Sequence, residues 1–122
     1  MPISTGASRQ GFSPVSVYLL CFYVPESALE EVKRALFAAG AGRSGLYDCC
    51  CWQTRGQGQF RPLAGSRPAL GQCGVLEAVP EYKVEMICEA SCIRAALRAL
   101  KNTHPYEQPA WHVVPQPGDF SE

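Results

Sequence analysis

At 122 residues the chain is one domain, long enough for a real core and too short for two. Its 11 basic and 11 acidic residues cancel, which excludes the electrostatic footprint of a nucleic-acid or anionic-membrane binder. With 47% hydrophobic residues, much apolar surface has to be buried by the fold or by a partner.

The seven cysteines are an odd number, three of them adjacent at Cys49, Cys50 and Cys51. With no secretory signal, that pattern argues against a disulfide framework and points to a reducing cytoplasm. The apolar run from Val15 to Val24 is too short to cross a bilayer. It also lacks the basic flank and small-residue cleavage site of a signal peptide, since Pro25 and Glu26 follow directly.

In chain order, residues 1–15 read as a disordered tail, rich in Ser, Gly and Pro. The domain proper spans 16–115, and 116–122 is a short C-terminal tail. Ser16 to Val24 predicts a first strand that is apolar on both faces. Either layers cover both sides of its sheet or a second subunit covers one. Glu26 to Ala39 predicts a helix, with Ser27 and Glu30 at capping-box spacing and Gly40 as its stop. Leu29, Val32, Leu36 and Ala39 form its core stripe, and Phe37 points away from it.

Leu46 to Thr54 reads as the second strand, with Cys49 and Cys51 on one face and Cys50 and Trp52 on the other. Gly56 to Glu77 keeps no helical or strand period and reads as a long ordered arc, anchored by Phe60, Leu63 and Leu70. Glu81 to Glu89 alternates as a third strand, with Tyr82, Val84, Met86 and Cys88 inward. A second helix runs from about Ala90 to Thr103 and is ended by His104-Pro105. A last strand covers Pro109 to Val114. The order βαββαβ predicts an α+β, ferredoxin-like sandwich: a four-stranded antiparallel sheet with two helices on one face. The long ordered loop lies between strands two and three.

Candidate chemistry concentrates in two places. In the arc, Gly56 and Gly58 can bring backbone N–H groups close to a ligand, and Arg61 adds a guanidinium, which together suit a small anion. The plain alternative is a loop that caps an edge strand, its glycines serving tight turns; Gly56-Gln57-Gly58 opens no helix and is no nucleotide fingerprint. The second place is the turn from His104 to Glu107, close enough in sequence for those two residues to hydrogen-bond. His104, Glu107 and His112 are weak candidates for metal ligands. A histidine closing a helix is equally a good cap. The cysteines lack zinc or redox spacing and read as small buried hydrophobes. No Ser, Cys or Lys has an evident base partner, so no catalytic residue is assigned and no cofactor is implied.

The stretches CFYVPES, ALFAAGAGRSG, CCWQTRGQGQFRPLAGSRPALGQCGVLE, EYKVEMIC and HPYEQPAWHV resemble the CutA-like or PII-like module of the YqfO/Nif-three-like family. The resemblance covers about Val17 to Val114. In larger members the module is inserted into a protein with a dinuclear metal site, and this chain has no room for the halves that hold those metals. Gln108 and His112 stand where the family pattern favours acidic residues. The resemblance implies a PII/CutA-like shape and a homotrimer; in PII proteins the long loop helps bind nucleotide between subunits. With the arc and turn residues, the expected site holds a small anionic ligand at the subunit junction through Gly56, Gly58 and Arg61, with His104 and Glu107 nearby. The turn after helix two is then expected to meet the arc of the neighbouring subunit. The function expected is a non-catalytic oligomeric binding or sensing module. The alternatives are an interaction module without a ligand and a divalent-metal-binding protein.

Overall fold

The computed structural model describes residues 15–116; the N-terminal tail up to residue 14 and most of the C-terminal tail lie outside them. Four strands, β1 (Val17–Pro25), β2 (Trp52–Phe60), β3 (Glu77–Glu89) and β4 (Trp111–Pro115), form one antiparallel sheet in the order β2-β3-β1-β4. A 3-10 turn (Glu26–Ala28) leads into α1 (Leu29–Ala38), and α2 spans Ile93–Thr103. This is the expected ferredoxin-like α+β sandwich.

Strand alternation decides which side chains the helices cover. Leu20, Phe22 and Val24 of β1 and Val84, Met86 and Cys88 of β3 face the helical layer and are buried. Leu29, Val32 and Leu36 of α1, with Ala96 and Leu100 of α2, close the core from above. At about 1.5–3 kcal/mol for each large side chain fully buried, this layer dominates the stability.

Two details of α1 differ from expectation. The Ser27 capping box does not form: Ser27 lies in the 3-10 turn, and Ala28 is the N-cap without a side-chain bond. Phe37 packs against the core instead of pointing away. The helix stop does hold, as a Schellman motif: Gly40 N–H donates to Phe37 O (3.0 Å) and Ala41 N–H to Leu36 O (3.1 Å). Gly40 has φ +106°, which favours glycine.

The larger correction concerns β2, expected at Leu46–Thr54 and found at Trp52–Phe60. Ser44 and Tyr47 bond to each other across a tight turn, and Cys49 sits at φ +56°, so the cysteine run is irregular backbone and not strand. The ladder continues instead through Gly56 and Gly58, because backbone pairing with β3 needs no side chains. The arc therefore shrinks to residues 61–76, and β3 begins at Glu77, not Glu81.

The second face of the sheet carries no helical layer among the described residues, although Cys21 is buried on it and loop 61–76 covers its Tyr23–Glu81 end. Val17, Leu19 and Ile87 lie half-buried on it, and Val114 is exposed.

Candidate functional site

The site grows from the far end of the β2–β3 ribbon. Gly58 pairs with Val79, and Glu81 lies diagonally across from it. A Cβ at position 58 would run into Glu81 Oε1, so the missing side chain is what gives that carboxylate its place. Phe60 ends β2 with its ring 6.0 Å from that of Tyr106, tilted by 51°. Beyond it, short bonds stitch loop 61–76: Ser66 Oγ donates to Leu63 O (2.7 Å), and Gly74 N–H to Pro62 O (2.7 Å).

The other wall is the turn after α2. Pro105 forces His104 into extended backbone (φ −70°, ψ 136°), which ends the helix. The His104 ring is buried and fully engaged. Nε2 donates to Tyr23 O (2.7 Å), while Nδ1 accepts the Tyr106 N–H (3.1 Å). That pairing fixes the neutral Nε2–H tautomer. Burial pulls its pKa below the ordinary histidine value, and the Tyr23 carbonyl opposes that only in part. His104 thus positions the turn, and neither nitrogen is free for a ligand or a metal.

Loop and turn meet within one chain. Arg67 N–H donates to Glu107 Oε1 (3.0 Å), whereas the expected meeting lay across subunits. Glu107 and His104 each bond elsewhere, not to each other. Between loop and turn opens a cavity of about 600 Å³, within the range of small-molecule sites. Tyr23, Phe60 and Tyr106 supply aromatic walls, with Leu63, Pro68 and Leu70 on the loop side.

Of the expected ligand residues, Gly58, Arg61 and Glu107 line this cavity, and Gly56 and His104 do not. Gln108 also lines it. His112 lies exposed on β4, opposite Cys21 of β1. Among the described residues no group of three or more His, Cys, Asp or Glu side chains is placed to hold a metal ion.

The sequence reading missed Glu81 and Tyr106. The Tyr106 hydroxyl is buried beside the Glu81 carboxylate and, among the described residues, makes no well-formed hydrogen bond. Burial first, then the charge of neighbouring Glu81 and the approach of its carboxylate to the hydroxyl, push its pKa up to about 12, so it keeps its proton as a donor. Its place inside HPYEQP was a usable signal, whereas Glu81 becomes visible only once β2 and β3 are in register.

No family model matches the chain. It is 43% identical over 100 residues to the GTP cyclohydrolase 1 type 2 homolog of Mycobacterium leprae, covering 80% of this chain and 26% of that protein. The homolog of Bacillus subtilis is 40% identical over 96 residues, 79% of this chain and 26% of the relative. The chain thus spans about a quarter of the length of these curated relatives. A solved Bacillus cereus protein related to NIF3 superposes with a TM-score of 0.72 at 34% identity, over 87% of this chain and 27% of that one. CutA from Synechococcus elongatus has a TM-score of 0.60 at 19% identity, over 85% of this chain and 80% of its own, a likeness of fold alone.

Proposed function

We propose that this chain, which carries the CutA-like module of the NIF3-related YqfO family, is a self-associating binding module that holds a small ligand between loop 61–76 and the turn after α2. One observation carries this reading: an aromatic-walled cavity of about 600 Å³ whose buried hydroxyl makes no well-formed hydrogen bond and whose charged groups have no ion-pair partner among the described residues. Buried polar groups are normally satisfied, so an orphan donor in a concave site suits a ligand's acceptor. Arg61 supports a negatively charged group on that ligand, through charge-assisted bonds at the rim.

Self-association rests on the second sheet face. Val17, Leu19, Ile87 and Val114 form an apolar row across β3, β1 and β4, with Lys83 and Glu85 beside it. A second and third copy would bury that row as a homotrimer. The free state of all seven cysteines supports work in a reducing cytoplasm. Among the described residues no helix is long and apolar enough to cross a membrane. Light scattering at micromolar concentration tests the assembly, and a monomer there removes it. A second reading, an interaction module without a ligand, draws on fully exposed Leu46 and largely exposed Tyr47 and Trp52.

A further inference from the structure

The two ends of the cavity offer opposite charges at different depths. Arg61 stands exposed at the rim. Glu81 is half-buried on β3, in the space that Gly58 leaves open. Glu107 comes from the turn, stands exposed like Arg61, and is oriented by the Arg67 N–H. Among the described residues the ion pairs are Lys33–Glu30 and Arg55–Glu26, both elsewhere, so neither cavity carboxylate has a cationic partner. Two carboxylates against one guanidinium leave the site negative. A carboxylate drawn partly out of water beside aromatic rings is costly to leave unpaired, and the more deeply set group dictates what enters. A simple anion would meet Arg61 in solvent and be repelled further in.

Resting on the reading that this cavity holds a small ligand, we infer that its inner end recognises a protonated amine or amidine carried on a planar apolar body. The cation pairs with Glu81, the half-buried carboxylate. The planar body lies along the tilted Phe60 and Tyr106 rings, and an acceptor on it takes the Tyr106 hydroxyl proton in a hydrogen bond. A negative group at the ligand's other end reaches Arg61. The full ligand is thus a zwitterion, which joins the arginine expected from the sequence to the carboxylate found in the fold.

Isothermal calorimetry on the full chain tests this with benzamidinium, benzoate and para-(aminomethyl)benzoate, which share one ring and differ in charge. The zwitterion is expected to bind most tightly, benzamidinium next and benzoate least. Glu81→Gln should weaken benzamidinium about tenfold or more while sparing benzoate, since a charge-assisted bond is lost. Should that variant fail to fold, Gly58→Ala serves instead, because its Cβ displaces the Glu81 carboxylate while keeping its charge; the same loss is expected. Arg61→Ala should weaken only the two probes that carry a carboxylate. Benzoate binding without benzamidinium binding, or unchanged benzamidinium affinity in the Glu81 and Gly58 variants, overturns the inference and leaves an anion site. Silence from all three probes removes the ligand-site reading and the inference with it.

Discussion

The strand–helix unit from Val17 to Gly40 and the ribbon with its loop from Trp52 to Leu76 are held in place by different physics. In the first, Leu20, Phe22, Val24, Val32 and Leu36 are completely buried, so core burial adds to the ladders that pair β1 on both sides. In the second, every residue from Trp52 to Gln57 is exposed, and position depends on the β3 ladder, on Glu107 and on the Phe60–Tyr106 contact. Two side-chain bonds also tie the ribbon to the helical layer, Arg55 to Glu26 (2.7 Å) and Lys33 to Gln53 (2.8 Å), both at the surface. The first region makes the fold, and the second, with few buried contacts, is the easier to adjust.

Substitutions can break this contrast. The largest effect is expected from Phe22→Ala, which empties a fully buried site and should cost about 3–5 kcal/mol in denaturant unfolding. Gln57→Ala, on the exposed ribbon, should leave the midpoint unchanged. Equal losses at the two positions would erase the distinction. Gly40→Ala should cost about 1–2 kcal/mol through its left-handed backbone. A further loss comes from its Cβ, which would lie 2.6 Å from Cys92 Sγ, and Cys92→Ala should restore that part.

A smaller effect ties the two regions together through His104. Its folded pKa lies below the ordinary 6.5, so the unfolded chain takes up the proton first. The stability that the neutral ring contributes is complete above about 6.5 and is lost as pH falls from there toward the folded value. Unfolding followed over that range should show a downward slope toward acid that His104→Gln abolishes. The smallest effect belongs to Leu46→Ser. Its side chain is wholly exposed, so the melting temperature should stay constant, and any change should appear in partner binding.

The same contrast explains how far the sequence could be read. Leu29, Val32 and Leu36, like Tyr82, Val84, Met86 and Cys88, repeat with the periods of their elements, so element order and core followed from local pattern. Gly56 and Gly58 have no side chains to show a period, and the triple cysteine imitates one. The true span of β2 is set by its pairing with β3, which is not local information. Of the residues singled out from the sequence, Gly58, Arg61 and Glu107 do come together around one cavity. His104 was marked for its chemistry, yet both its nitrogens serve the turn. Glu81 was hidden because only strand register places it beside Gly58.

The most direct test of a single-chain ligand site is an amide-resolved NMR titration of the full chain with para-(aminomethyl)benzoate. Saturable shifts are expected together at Gly58, Phe60, Glu81, Tyr106 and Glu107, with the core amides of Phe22 and Leu36 unmoved. Shifts confined to the apolar row of Val17, Leu19, Ile87 and Val114, or none at all, would contradict it.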